Sequence, residues 1–147
     1  MTAPMIAYRR LKTSDIPSMI GVWKKSDLPI REKTRESPNA LRAEMNANPQ
    51  NFIGAFDGND LVGLVIATSD GRKGWINRLA IVPSYRRHGI GLRLIQEAEE
   101  ELSSRGINIV SGLIEKGNEV SFTLFAKAGY EIREDIIYVR KELVEDA

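Results

Sequence analysis

Apolar positions along the chain follow two periods, one typical of amphipathic helices and one typical of strands. The helical period is clearest over Leu92–Ser104, where Leu94, Ile95, Ala98 and Leu102 share one face. In chain order, the first half is expected to contain a strand at 6–11, a helix carrying Ile16, Met19, Ile20 and Trp23, a second helix from Ser37-Pro38 to about Asn46, and strands at 52–56, 61–68 and 75–82. The second half is expected to contain the helix at 92–104, a strand at 107–114, a helix from Asn118 to about Ala128, and a closing hairpin at 130–133 and 136–140. The order βααβββαβαββ predicts an α/β (α+β) fold with a mixed, mostly antiparallel central sheet.

A glycine-bearing loop, Arg86-Arg87-His88-Gly89-Ile90-Gly91, joins a predicted strand to the helix at 92–104. The first amides of a helix have no partners within the helix and lie at the positive end of its dipole. Glycines let such a loop curl and bring its amides close to an anion. Arg86, Arg87 and Arg93 add positive charge, so the pattern predicts a diphosphate-binding loop.

Two common phosphate-binding motifs do not fit this loop. A dinucleotide fingerprint requires a third glycine where Leu94 stands. A P-loop requires Gly-Lys-Ser/Thr, whereas Gly91 is followed by Leu92 and Arg93. The anion is therefore expected to belong to a different class of cofactor.

Two motifs resemble the GNAT superfamily of N-acetyltransferases. Arg86-x-x-Gly89-x-Gly91, preceded by Leu79-Ala80-Ile81-Val82-Pro83 and Tyr85, resembles the family's acyl-CoA loop. Asn118-x-x-Ser121-x-x-Leu124-Phe125-x-x-x-Gly129-Tyr130 resembles its C-terminal motif. The resemblance implies a GNAT-like sheet, one N-acetyltransferase domain over residues 1–147, and acetyl-CoA as co-substrate without a metal.

The resemblance also implies roles for individual residues. In the family, the loop amides bind the CoA pyrophosphate, and the preceding strand splays from its neighbour so that its free backbone groups pair with pantetheine. The amide of Ile81 would then contact the thioester carbonyl and stabilise the oxyanion formed during transfer. Asn118 would cap a helix and contact pantetheine, and Lys127, otherwise a solvated helix residue, would meet the 3′-phosphate. The implied cofactor-binding residues are Leu79, Ala80, Ile81, Arg86, Arg87, His88, Gly89, Ile90, Gly91, Leu92, Asn118, Phe125 and Lys127.

Two positions depart from the family pattern at its catalytic groups. Phe125 stands where many relatives carry a tyrosine that protonates the departing thiolate, so Phe125 is expected to pack against the thioester region. Leu113 stands where the similar ribosomal-protein alanine acetyltransferases carry a glutamate. Glu115 is the nearest carboxylate and the candidate general base, although a solvated strand end explains it equally well. Tyr130 and Tyr138 are expected to pack in the core.

The segment Trp23-x-x-x-Asp27-Leu28, together with Asp70-Gly-x-x-Gly-Trp75, resembles a bacterial and archaeal subgroup of GNAT proteins with no assigned substrate. In the family, this segment leads into the loop that borders the acceptor pocket. Trp23 also lies on the apolar face of its helix, so core packing is expected for it.

Composition narrows the chemistry further. The 147 residues include no cysteine and one histidine, which excludes a thiolate nucleophile, disulfides, and Cys-based or His-rich metal sites. The net charge of +1 argues against general nucleic-acid binding, and the sequence lacks an apolar run long enough for a membrane span. We expect a cytoplasmic protein whose partners are acetyl-CoA and an amine acceptor, with a homodimer left open.

The expected function is acetyl transfer from acetyl-CoA to a primary amine, which could be a protein N-terminus, a lysine or a small amine. Without a cysteine to form an acyl-enzyme, direct attack in a ternary complex is expected. Because Phe125 and Leu113 replace the family's acid and base, the alternative is a CoA-binding regulatory or interaction module without catalysis. A nucleotide-phosphate binder is a third hypothesis.

Overall fold

A five-stranded mixed sheet forms the centre of the protein, whose computed structural model describes residues 5–147. Its strands are β1 (Ile6–Arg10), β2 (Phe52–Asp57), β3 (Asp60–Ser69), β4 (Gly74–Ile81) and β5 (Val110–Gly112). The strands lie side by side in chain order, with antiparallel pairing up to β4 and parallel pairing between β4 and β5. A parallel pair needs a crossover connection, which is why a helix separates β4 from β5 along the chain.

Four helices accompany the sheet, and local sequence explains where they begin. They are α1 (Ile16–Lys25), α2 (Pro38–Ala47), α3 (Ile90–Ser104) and α4 (Glu119–Lys127). Before α2, the Ser37 hydroxyl accepts a hydrogen bond from the Ala40 amide at 3.1 Å. Before α4, Asn118 Oδ1 accepts one from the Ser121 amide at 3.2 Å, which confirms the predicted cap. No helix within residues 5–147 combines the length and apolar character needed to cross a membrane.

Each face of the sheet has its own apolar core, because successive residues of a strand face opposite sides. The face under α1 and α2 includes Met19, Trp23, Leu41, Phe52 and Leu64. The face under α3 and α4 includes Ile53, Val65, Leu94, Ile95 and Phe125. Trp23 is fully buried, so its predicted core position is confirmed.

The expected fold class is confirmed, and the observed elements follow the predicted order from β1 to α4. The boundaries of strands β1 to β4 agree with the prediction to within one residue, and two elements differ by more. Helix α3 begins at Ile90 rather than Leu92, and β5 covers only Val110–Gly112 of the strand predicted at 107–114.

The closing hairpin predicted at 130–133 and 136–140 is not formed, since no strand is assigned after Gly112 in the described part of the chain. A strand requires a neighbouring edge, and β5 offers only three residues of ladder. The run 136–139 is apolar at every position, so a strand with one buried face could not cover all of it. Tyr138 is accordingly 63% exposed, and the expectation that it packs in the core is wrong.

Candidate active site

The loop between β4 and α3 has the backbone shape that an anion site requires. After a short 3-10 turn at Pro83–Tyr85, the chain passes through two left-handed conformations, at Arg87 (φ 67°) and at Gly89 (φ 78°). Gly89 occupies the N-cap position of α3 and contributes no side-chain cap. A non-glycine residue in this conformation costs roughly 1 kcal/mol, so Arg87 is a strained position at the centre of the loop.

The amides at the start of α3 have no acceptors within residues 5–147. The Arg93 amide is the first to bond back into the helix, to the Gly89 carbonyl at 3.1 Å. The amides of residues 87–92 precede this bond and donate to none of the described residues. Their free N–H groups, at the positive end of a 15-residue helix, form the polar surface of the loop.

The two glycines of the motif serve different purposes. The space where a Gly89 Cβ would lie is empty to at least 4 Å, so the loop surface is open at this residue. A Cβ at Gly91 would instead lie 2.6 Å from Leu124 Cδ2 and 3.2 Å from Ile81 Cδ1. Gly91 is therefore required by the packing of α3 against α4 and β4, whereas Gly89 is required by the loop conformation.

Only part of the predicted positive charge remains free at the loop. Arg86, Arg87 and His88 are exposed. Arg93, however, pairs with Glu97 at 3.2 Å and lies over the ring of Tyr8, with its guanidinium carbon 5.1 Å from the ring centroid. The fixed charge nearest the free amides therefore comes from the two neighbouring arginines at 86 and 87.

Strands β4 and β5 separate beside this loop. Their ladder ends at the Ile76–Gly112 pair, so the segment of β4 after Ile76 has no partner on that side. The Val82 amide donates to the Val62 carbonyl of β3 at 2.8 Å. Because amides alternate along a strand, those of Ile81 and Leu79 face the open side instead.

Phe125 lies at the point where the two strands part. It is 5% exposed, and its ring edge lies 3.3 Å from the position that a Gly112 Cβ would occupy. Its ring packs edge-to-face against Tyr130, with 5.0 Å between centroids. The Tyr130 hydroxyl donates to Glu99 Oε2 at 2.6 Å; burial, followed by this carboxylate, raises the pKa of Tyr130 well above its ordinary value. Tyr130 is thus a half-buried packing residue whose hydroxyl is already hydrogen-bonded to Glu99.

The remaining predicted residues lie on α4 or in the connection between β5 and α4. Glu115 is exposed and lies in the connection between β5 and α4, three residues beyond the end of the strand. Leu113 is 60% exposed, and Lys127 is exposed on the last turn of α4. Asn118 is half-buried, and its side-chain oxygen is engaged in the helix cap. Of the predicted residues on this side, Phe125 lies at the gap, whereas Glu115, Leu113 and Lys127 are exposed to solvent.

A cleft of about 250 Å³ opens on the α1/α2 face of the sheet, beside the point where β4 leaves β5. Its lining includes Trp23, Glu36, Glu44, Asn77 and Arg78. Burial lowers the pKa of Arg78, and attraction to Glu36 opposes this effect. Burial, followed by the charge of Glu36, raises the pKa of Glu44.

Sequence reasoning missed these charged residues. Glu36 lies just before the helix predicted from Ser37-Pro38, and neither it nor Glu44 nor Arg78 matches a motif. The signal available in the sequence was Arg78 itself, a charged residue followed by the apolar run Leu79-Ala80-Ile81-Val82 in a strand expected to be buried.

The parting of β4 and β5 beside free amides at the start of a helix is the arrangement that the resemblance to the GNAT superfamily implied. The Acetyltransferase (GNAT) family profile matches residues 13–130. The chain belongs to this family and is an N-acetyltransferase enzyme.

Known relatives extend the similarity over almost the whole chain. The chain is 25% identical to an acetyltransferase of Sodalis glossinidius and 27% identical to one of Pectobacterium atrosepticum, each over 138 residues that cover 94% of this chain and 96% of the relative. It is also similar to the crystal structure of the PaiA N-acetyltransferase of Thermoplasma acidophilum in complex with coenzyme A. That similarity has a TM-score of 0.78 and 25% identity, and covers 88% of this chain and 91% of the other.

Proposed function

We propose that the protein transfers the acetyl group of acetyl-CoA to a primary amine by direct attack in a ternary complex. The observation that carries the proposal is the continuity of two sets of free backbone donors. The free amides at 87–92 span the loop and the first turn of α3, and the outward amides of β4 lie just before the loop. A diphosphate on the first set and an extended thioester arm along the second would match coenzyme A.

The open edge of β4 supplies the donors for the thioester. Ile81 is the proposed donor to the carbonyl oxygen, and Leu79 offers an equivalent amide about 7 Å deeper into the gap, two residues along the strand. A donor fixed at the carbonyl oxygen stabilises the oxyanion as the amine adds. Phe125 would pack beside the thioester, Asn118 would contact the pantetheine arm from the facing rim, and Lys127 would meet the 3′-phosphate.

The chemical step needs no acyl-enzyme. The amine lone pair attacks the thioester carbonyl carbon, the new N–C bond forms, and the C–S bond breaks to release CoA as its thiolate, which then takes up a proton. The amine loses one proton in the process, and Glu115 is the proposed acceptor of that proton. The acceptor would enter from the α1/α2 cleft, opposite the loop that holds the diphosphate.

Initial-velocity kinetics test this mechanism. With acetyl-CoA and a panel of primary amines, double-reciprocal plots at several fixed amine concentrations should intersect, because both substrates must be bound before reaction. Parallel lines would indicate a covalent acetyl-enzyme and would contradict the proposal. Absence of transfer to every class of amine, despite CoA binding, would favour a CoA-binding module instead.

We also propose that the protein forms a homodimer through its C-terminal segment. The apolar side chains of the segment are between 63% and 83% exposed at Ile136, Ile137, Tyr138 and Val139. An exposed apolar run of this kind can be buried against the same run of a second copy in a two-fold arrangement. Sedimentation velocity should show concentration-dependent association that Ile137→Thr with Val139→Thr abolishes. Val120→Thr, at an exposed apolar position on α4, is the control; association unchanged by the paired substitutions would contradict the proposal.

A further inference from the structure

The path of β4 changes at Arg78. Asn77 pairs with Ile66 and Ala80 pairs with Leu64, so Arg78 and Leu79 together face one residue of β3. Arg78 itself has a φ of 54°, which side-chain-bearing residues rarely adopt. A bulge of this kind turns a side chain out of the regular alternation. Here it brings the guanidinium of Arg78 over the Trp23 ring, 4.8 Å from its centroid.

The Arg78 side chain is held in place but only partly satisfied. Nη1 donates to the Pro29 carbonyl at 2.6 Å, and the Trp23 indole N–H donates to the Arg78 carbonyl at 3.2 Å. Nη2 lies 3.6 Å from Glu36 Oε1, an ion-pair distance without a hydrogen bond. Nε and Nη2 are buried and have no hydrogen-bond partner among the described residues. Unpaired buried donors are unfavourable, so this edge of the guanidinium favours an oxygen-bearing ligand.

The same cleft contains the carboxylate of Glu44, which has no positively charged partner within residues 5–147. Glu44 is half-buried on α2, and its side chain makes no ion pair or hydrogen bond within residues 5–147. Glu36 differs, because it is 7% exposed and lies near both Arg78 and Arg35. The cleft therefore combines one unsatisfied guanidinium edge with one uncompensated carboxylate.

We propose that this cleft binds an acceptor carrying a carboxylate as well as its amine, with Arg78 binding the carboxylate and Glu44 binding the amine as an ammonium group, which must release a proton to solvent before the neutral amine attacks. The inference rests on the proposed function, since it names the substrate class of the acceptor side. Arg78 offers its Nε and Nη2 edge for two hydrogen bonds to a carboxylate, a geometry that lysine cannot reproduce. A plain alkylamine would leave these donors unsatisfied, and a plain carboxylate would meet the charge of Glu44 without compensation.

Calorimetric titration of the CoA-saturated protein tests this proposal. The probes are 4-aminobutyrate, 5-aminopentanoate and 6-aminohexanoate, each compared with the alkylamine and the alkanoate of the same carbon number. The best amino acid should bind at least about 10-fold more tightly than either matched compound, as expected when charged hydrogen bonds are lost. Similar affinities within every matched set, or no binding by any amino acid, would overturn the proposal.

Variants locate the two contacts. Arg78→Gln should remove the preference over the alkylamine, Arg78→Lys should restore only part of it, and Glu44→Gln should remove the preference over the alkanoate. Arg42→Gln, at an exposed arginine of α2 that pairs with Asn39, should retain both preferences. Unchanged preferences in folded Arg78→Gln would overturn the assignment. Failure of CoA itself to bind would instead count against the proposed function, whereas acetylation of amines without any carboxylate preference would count against this inference alone.

Discussion

Phe125 has no hydroxyl to donate a proton, so its expected role is packing rather than proton transfer. The ring is buried between Gly112 and Tyr130, at the point where β4 and β5 part. Phe125→Ala should lower the free energy of unfolding by about 3–5 kcal/mol, the usual cost of emptying a buried aromatic site. It should also raise the KM for acetyl-CoA, because the thioester would lose an apolar contact.

The matched variants make that prediction specific. Phe125→Tyr, which retains the ring, should keep turnover similar or slightly raised, and Phe122→Ala on the same helix should leave the KM for acetyl-CoA unchanged. The measurements are denaturant unfolding and steady-state kinetics. A Phe125→Ala enzyme with wild-type KM would place the ring away from the thioester.

Glu115 is the residue proposed to accept the proton of the amine. Glu115→Gln preserves shape but removes proton acceptance, and should lower turnover by roughly 10²-fold, the usual scale for one general base. The loss should be largest at low pH and smaller at high pH, where more of the amine is already neutral. CoA affinity should not change. Glu100→Gln, at an exposed glutamate of α3, is the control. Turnover is measured by the release of the CoA thiol. If Glu115→Gln turned over at the wild-type rate across pH 6–9, Glu115 would not be the base.

At the residue scale, the sequence identified the positions of the loop but not the reason for each one. Gly89 and Gly91 look equivalent in the motif, yet one adopts a left-handed conformation and the other makes room for Leu124. Such a distinction depends on how α3 packs against α4, and Gly91 and Leu124 are 33 positions apart, so no local pattern records their contact. The same holds for Arg78, whose bulge depends on its register with β3.

At the element scale, the contact between α3 and α4 leads to a prediction at Gly91. Gly91→Ala should lower the free energy of unfolding by roughly 1 kcal/mol, because overpacking against Leu124 outweighs the gain in helix propensity. In a Leu124→Ala background, the same substitution should become stabilising by about 0.5–1 kcal/mol. Gly21→Ala in α1, where the space is empty to 4 Å, should be stabilising in the wild type. Chemical unfolding of these variants measures the change in the free energy of unfolding for each substitution. Equal effects of Gly91→Ala in the wild-type and Leu124→Ala backgrounds would show that Gly91 is not required for packing against Leu124.

Element prediction succeeded where local signals agreed with tertiary context. The caps at Ser37 and Asn118 and the period of α3 placed three helices correctly, because these signals lie within a few residues of the boundary. The closing hairpin failed because strand formation depends on a partner edge, and apolar content alone does not supply one. The Arg133–Asp135 pair, at 2.7 Å, instead holds a bend where the hairpin turn was predicted.

In the whole molecule, the two sequence motifs predicted the fold class and the family. Both motifs lie on segments beside the gap between β4 and β5. The sequence could not predict what lies across that gap. The cleft combines α1, α2, β3 and β4, and its charges come from positions 36, 44 and 78, which only the folded sheet brings together. The loop proposed to bind the diphosphate is local in sequence, whereas the proposed acceptor side is assembled from distant segments.

Titration calorimetry of CoA against Gly89→Asp tests whether the loop between β4 and α3 binds CoA. Aspartate tolerates the left-handed conformation of Gly89 better than most residues and would place a negative charge over the free amides of α3. Gly71→Asp is the matched control, since Gly71 also has positive φ (90°) and open space but lies on the β3–β4 turn, and Gly89→Asn separates charge from shape. Gly89→Asp should weaken CoA binding by more than roughly tenfold, with Gly71→Asp unchanged and Gly89→Asn intermediate. Undiminished CoA affinity in a folded Gly89→Asp protein would show that this loop does not bind the diphosphate.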